Sequence, residues 1–148
     1  MRIALCSDEP YPVHQVIADE VRRRGHEVVP FGAVASAHDE PWAEVAEQAA
    51  LAVRRGDCDE GIFLCWTGTG ISIAANKVEG IRAALCADPP TAAGARVWNH
   101  ANVLCLSNRT LSRDVAKEIL AAWFETPPGD KGSAGVARLA EVDDRHRK

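Results

Sequence analysis

No apolar stretch of this 148-residue chain runs to membrane-spanning length before a charge breaks it, so no transmembrane helix is expected. Nor is there an excess of positive charge. Seventeen Lys and Arg stand against 21 Asp and Glu, a net charge of −4, which excludes the concentrated positive field that nucleic acid or an anionic membrane surface requires. The five cysteines, at 6, 58, 65, 86 and 105, form no C-x-x-C pair and no short metal-ligand spacing. An odd number of cysteines reads as reduced thiols, mostly small buried apolar side chains, with no metal expected. The start of the chain, Met1-Arg2-Ile3-Ala4-Leu5-Cys6, meets Asp8 without the apolar region of a secretory signal, and a cytoplasmic protein is expected. With 47% hydrophobic and 26% charged residues, the composition suits a packed core of one ordinary domain.

The apolar residues fall into alternating strand-like and helix-like patterns. Strands are expected at Arg2–Cys6, Glu27–Phe31, Gly61–Cys65, Ile81–Cys86 and Asn102–Leu106. Between them, Val13, Val16, Ile17 and Val21 recur at helical spacing. So do Trp42, Val45, Ala49 and Val53, and Leu111, Val115, Ile119 and Trp123. Shorter helices are expected over Ile71–Lys77 and Pro90–Trp98. Such alternation implies parallel strands with right-handed crossovers: a doubly wound, five-stranded, Rossmann-like αβα fold. Residues 1–126 would form this α/β domain. Residues 127–133, rich in Pro and Gly, would link it to a polar helical tail over 135–148, packed on this subunit or a partner.

Ligands of such folds bind beyond the carboxyl ends of the strands, which directs attention to loops 7–12, 65–70, 87–91 and 107–110. Gly68-Thr69-Gly70 is not a dinucleotide fingerprint, because the third glycine would fall at Ile73. No Gly-Lys-Ser/Thr follows it, which excludes a Walker loop. A phosphatase loop would need arginine where Ile71 stands. What is left is a strand ending at Cys65, then a glycine-rich turn opening a helix. Backbone N–H groups of such a turn stabilise an oxyanion, and the helix dipole favours a thiolate. A thiolate beside an oxyanion hole suits proton abstraction next to a carbonyl.

The run from Cys65 to Cys86, Cys-Trp-Thr-Gly-Thr-Gly-Ile-Ser-Ile-Ala-Ala-Asn-Lys-Val-Glu-Gly-Ile-Arg-Ala-Ala-Leu-Cys, resembles the ribose-5-phosphate isomerase B and galactose-6-phosphate isomerase family. Ser7-Asp8 after the first strand and Asn99-x-x-Asn102-Val103-Leu104 before the fifth support the match. The resemblance implies cofactor-free, metal-free aldose–ketose isomerisation of a small sugar or sugar phosphate through a cis-enediol. It also implies a homodimer or tetramer with sites at the subunit interface. By position it makes Cys65 the base, and Thr67 with the amides of Gly68, Thr69 and Gly70 the holders of the enediolate oxygen. Asp8 would bind hydroxyls and assist ring opening, Asn99 would orient the substrate, and Arg109 and Arg138 would contact phosphate.

Three positions depart from the family pattern. Glu9 stands where histidine is usual, Trp98 where the ring-opening histidine is usual, and Ala134 where the first of two tail arginines is usual, with Lys131 nearby. A carboxylate repels phosphate, whereas it accepts hydrogen bonds from neutral hydroxyls, and tryptophan stacks on a sugar face. The expectation is an altered substrate: an unphosphorylated sugar, or one whose phosphate lies elsewhere, with a short acyclic one such as a tetrose derivative needing no ring-opening histidine. Plainer roles stand beside these. For Asp8 the plainer role is a helix cap, for Glu9 a solvated charge or an ion pair to Arg109, and for Trp98 helix or interface packing. His14, His26, His38 and His146 read as structural or solvated. The competing function is a non-catalytic sugar-binding subunit of a hetero-oligomeric isomerase.

Overall fold

The computed structural model describes residues 1–147. Five strands, β1 (Arg2–Ser7), β2 (Glu27–Gly32), β3 (Glu60–Cys65), β4 (Ala83–Leu85) and β5 (Val103–Ser107), form one parallel sheet in the order β2-β1-β3-β5-β4. The connections carry helices α1 (Val13–Arg23), α2 (Ala33–Ser36), α3 (Trp42–Arg54), α4 (Thr69–Ala75) and α5 (Pro89–Asn99). After β5 come α6 (Arg113–Glu125) and α7 (Ser133–His146). This is the doubly wound three-layer fold. Among the described residues no helix is long and apolar enough to cross a membrane.

The period of two along each strand sorts side chains between two cores. Ile3 and Leu5 of β1, Ile62 and Leu64 of β3, and Leu104 and Leu106 of β5 face α1, α5 and α6, with Trp123 of α6 fully buried among them. Ala4, Cys6, Phe63, Cys65, Val103 and Cys105 face α3 and α4. Small residues dominate that second face, where α3 presents Ala46, Ala49 and Ala50. All five cysteines are free and buried.

The sequence boundaries need four corrections. The fourth strand is three residues rather than six, because Ile81 and Arg82 are taken up by other partners. The Arg82 amide donates to the Asn102 side chain at 2.8 Å, and the Asn76 side chain caps both backbone groups of Ala83. A short helix, α2, occupies what reads as a polar loop. The helix after Cys65 begins at Thr69, so Thr69 and Gly70 form its first turn. The last helix runs Ser133–His146 rather than 135–148: Arg147, its C-cap, is already extended, and residue 148 lies outside the described residues. This helix buries none of its own residues and lies on α5. Gly132 makes that approach possible: a Cβ there would stand 2.6 Å from the Trp98 carbonyl oxygen.

Candidate active site

The chain leaves β1 toward one edge of the sheet and β3 toward the other, so the crevice at their carboxyl ends is the switch point where such folds bind ligands. Three segments meet there: Ser7–Tyr11 after β1, Cys65–Gly70 after β3, and Asn108–Arg109 after β5. They are tied together by backbone. The Asn108 amide donates to the Cys65 carbonyl at 2.9 Å and the Arg109 amide to the Trp66 carbonyl at 3.1 Å. The Ser107 hydroxyl also donates to the Trp66 carbonyl, at 3.0 Å.

Cys65 ends the central strand on the α3/α4 side, and the turn behind it has one possible shape. Gly68 sits at φ +78°, and a Cβ there would lie 2.5 Å from the Leu85 side chain and 3.0 Å from the Leu106 backbone. Only glycine meets both demands. The turn leaves the first-turn amides of α4 without acceptors inside the helix, and the Thr69 amide faces the Thr67 hydroxyl at 3.5 Å. The Thr67 and Thr69 hydroxyls are 2.6 Å apart and hydrogen-bonded to each other, both on the exposed side of the turn. Cys6 and Cys105, in the layer beneath, are held as neutral thiols: burial pushes both well up, and the Ser72 hydroxyl opposes this only partly at Cys105.

Asp8 is buried at the end of β1 and its Oδ1 has no hydrogen-bond partner. The N-cap of α1 is Pro12, with no side-chain cap, so Asp8 does not cap that helix. Burial, with the Glu9 charge second, pushes the Asp8 carboxyl above the usual carboxylate range. Glu9 is half-buried beside it, and Asp39 adds to the same negative field. Among the described residues Glu9 forms no ion pair with Arg109. Instead the Arg109 guanidinium lies 5.9 Å from the centroid of the Trp66 ring, and Tyr11 stacks on that ring at 6.1 Å with 30° between the planes. An arginine, an indole and a phenol thus line the mouth next to Cys65, with Trp66 itself half exposed.

Three residues of this neighbourhood carried no functional signal in the sequence, Tyr11, His14 and Asn108, and Ser7 entered only as a motif neighbour of Asp8. His14 and Asn108 are buried and 2.8 Å apart, and Asn108 donates to the Ser7 hydroxyl at 3.1 Å. The available clue was positional: His14 falls in the first turn after a ligand-edge loop, and Asn108 directly precedes Arg109.

The structure does not bring Trp98, Asn99 or Arg138 to Cys65. In a parallel sheet a helix returns the chain to the amino ends, so α5 carries Trp98 and Asn99 away from the carboxyl edge. The whole of β5 lies between them and Ser107, roughly 16 Å of strand. Asn99 instead lines a groove of about 460 Å³ with Arg82, Val136 and Leu139. Arg138 is exposed on α7, and Trp98 is also exposed. Within one subunit the residues singled out in the sequence therefore fall into two groups at opposite ends of the sheet. Among the described residues no group of three or more His, Cys, Asp or Glu is placed to hold a metal ion.

A family model described as Ribose/Galactose Isomerase matches residues 3–142. The chain is 44% identical over 133 residues to ribose-5-phosphate isomerase B of Escherichia coli K12, covering 89% of this chain and 88% of that one. It is 38% identical over 118 residues to D-erythrulose-4-phosphate isomerase of Pectobacterium atrosepticum, covering 80% of this chain and 78% of that one. Among solved structures, ribose-5-phosphate isomerase B of Clostridium thermocellum superposes with a TM-score of 0.90 at 36% identity, covering 99% of this chain and 100% of that one.

Proposed function

The chain belongs to the ribose/galactose isomerase family, and on that premise we propose that it interconverts the aldose and ketose forms of a short, acyclic sugar phosphate through a cis-enediol. Cys65, as thiolate, takes the proton from C2 of the aldose and returns it to C1, while the hydroxyl proton moves from O2 to O1. Thr67 and the amides of Gly68, Thr69 and Gly70 hold the developing enediolate oxygen. Asp8 accepts a sugar hydroxyl, and its unpartnered, buried Oδ1 is a position that such a hydroxyl fills.

The observation that carries this reading is Cys65 at the end of the central strand, directly followed by a turn whose φ and contacts require Gly68. Substrate length is argued from Trp98 and Glu9. A tetrose phosphorylated on its terminal hydroxyl has no oxygen left to close a five-membered ring, so its isomerase needs no ring-opening histidine. The negative field of Asp8, Glu9 and Asp39 disfavours a phosphate close to β1 and favours neutral hydroxyls there. The Pectobacterium relative, named for a four-carbon substrate, is consistent with this choice.

We further infer that two copies of the chain make each site. Trp98, Asn99 and Arg138 of one copy then serve the Cys65 of another, which resolves their separation within a single subunit. The test is deuterium incorporation from D₂O at the carbon next to the carbonyl, followed by NMR. D-erythrulose 4-phosphate, ribose 5-phosphate and free pentoses and hexoses are compared, with Cys65→Ala as control. Fastest exchange on the four-carbon phosphate, lost in Cys65→Ala, is expected. Fastest exchange on ribose 5-phosphate overturns the substrate argument. No Cys65-dependent exchange on any of them points to the non-catalytic sugar-binding subunit.

A further inference from the structure

Behind the candidate site runs a buried chain of hydrogen bonds that the proposed chemistry does not use. It begins at a group with only one option. The Tyr11 backbone N–H can only donate, and it faces Nδ1 of His14 at 3.4 Å. Nδ1 must therefore accept, and a neutral imidazole then carries its proton on Nε2. Nε2 lies 2.8 Å from Asn108 Oδ1 and donates to it. That fixes the amide orientation, so Asn108 Nδ2 donates to the Ser7 hydroxyl at 3.1 Å. Ser7, with its oxygen engaged as acceptor, donates its own proton to the Glu9 carbonyl at 2.7 Å, and the Glu9 amide returns to Ser7 Oγ at 3.3 Å. Every member points the same way.

The members are well placed to matter. Ser7, His14 and Asn108 are all buried, at 0%, 7% and 8% exposure, so solvent cannot substitute for a lost partner. Asn108 also ties to Cys65 through its own amide. His14 is anchored to the loop twice, because its backbone N–H donates to the Tyr11 carbonyl at 3.1 Å. The chain thus joins the end of β1, the start of α1 and the end of β5, three segments that meet at the carboxyl edge of the sheet where Cys65 ends β3.

We propose that His14, Asn108 and Ser7 are positioning residues: a one-way chain, running from the Tyr11 amide through His14 in its Nε2–H form to the Glu9 carbonyl, that holds the Asp8–Glu9 loop in register with Cys65. What is positioned rests on the isomerase reading above; the chain itself does not. Burial favours the neutral imidazole this direction requires, and the Asn108 bond opposes that effect. An imidazolium would set a donor on Nδ1 against the Tyr11 donor.

The experiment uses the full-length protein and three substitutions. His14→Leu breaks the chain in the middle, and Ser7→Ala breaks it at its end. His14→Gln presents an amide donor toward Asn108 and a carbonyl acceptor toward Tyr11, and so keeps the pattern. Long-range ¹H–¹⁵N NMR is expected to show wild-type His14 as the neutral Nε2–H tautomer at neutral pH. Hydrogen exchange at the Glu9 amide, remote from residue 14 in the chain of bonds, is expected to speed up about tenfold in His14→Leu and to stay near wild type in His14→Gln. On D-erythrulose 4-phosphate, kcat/KM is expected to fall about tenfold in His14→Leu and in Ser7→Ala, mainly through kcat. The double variant should be no worse than either, and His14→Gln should recover the loss. A proton on Nδ1 or a charged imidazole at neutral pH overturns the proposal, as does unchanged Glu9 exchange in His14→Leu. If the wild type isomerises no sugar phosphate, the isomerase reading fails, while the tautomer and exchange measurements still decide this one.

Discussion

The backbone N–H of Asn108 donates to the carbonyl oxygen of Cys65 at 2.9 Å, so the loop bearing Arg109 is fastened to the strand end that bears the sulfur. Leu64 and Cys65 are flanked by Ser7 on one side and Ser107 on the other, in register across three neighbouring strands. The Cys65 thiol thus stands at a strand end fastened on both sides, which suits the base proposed for it, one that must meet two adjacent carbons in turn.

Replacing that group should separate chemistry from folding. Cys65→Ala is expected to lower kcat by about 10²–10⁴-fold, the range that a positioned acid or base supplies. The thermal midpoint should move by only a few degrees, because a small buried side chain is exchanged for one slightly smaller. Steady-state kinetics and calorimetry on the same preparations check both halves.

Asp8 offers the opposite combination. Its folded-state pKa is raised above the ordinary value of 3.8, so the folded protein holds this proton more tightly than the unfolded chain. Stability due to this group therefore falls as pH rises through the window above 3.8, and at neutral pH the ionised, buried carboxylate, with Oδ1 unpartnered, is a cost. Asp8→Asn is expected to raise the denaturation midpoint at pH 7, an advantage that disappears on acidification below about pH 4. Substrate turnover should drop in the same variant. Urea titrations at several pH values against wild type give the sign.

At the opposite end of the sheet, Arg96 pairs with Glu60 at 2.9 Å and lies 4.6 Å from the Trp123 ring, whose N–H donates to Glu60 at 3.0 Å. Both charged side chains are about nine-tenths buried. Glu60→Gln, which leaves the arginine uncompensated, should cost about 3–5 kcal/mol in denaturant unfolding. Glu60→Met combined with Arg96→Leu should recover most of that, short of what the unpaired Trp123 N–H costs.

Substrate choice should respond to the negative residue at the mouth. Glu9→His is expected to raise kcat/KM for ribose 5-phosphate relative to D-erythrulose 4-phosphate by about tenfold, since it removes a charge that repels phosphate and adds a donor. Competition between the two substrates, read by NMR, measures the ratio directly.

Much of the architecture was legible because two periodicities alternate along the chain and each has one physical meaning. Ile3 and Leu5 against Ala4 and Cys6 display the two sheet faces within four residues. Cys65 and Gly68 were legible because the turn that follows a strand is local. The His14–Asn108 contact was not, because it joins positions 94 apart and neither residue type announces a partner. The shortened β4 was hidden for a related reason: its first residues carry a good strand pattern, but side chains of Asn76 and Asn102 take their backbone groups. Trp98 and Asn99 are a different case. They precede a parallel strand, and a residue in that position lies at the amino end of the sheet whatever its neighbours in a motif suggest.

That division of the sheet into a sulfur end and an asparagine end has a genetic reading. If each reaction centre draws on two copies, lesions at Cys65 and at Asn99 fall into separate complementation groups. Mixed dimers of the two inactive chains hold one intact centre and one doubly damaged one, so about a quarter of the centres should regain function after random reassociation. Two chains each dead alone would then sustain the reaction together, whereas two different lesions at the sulfur end, Cys65 and Asp8, would not.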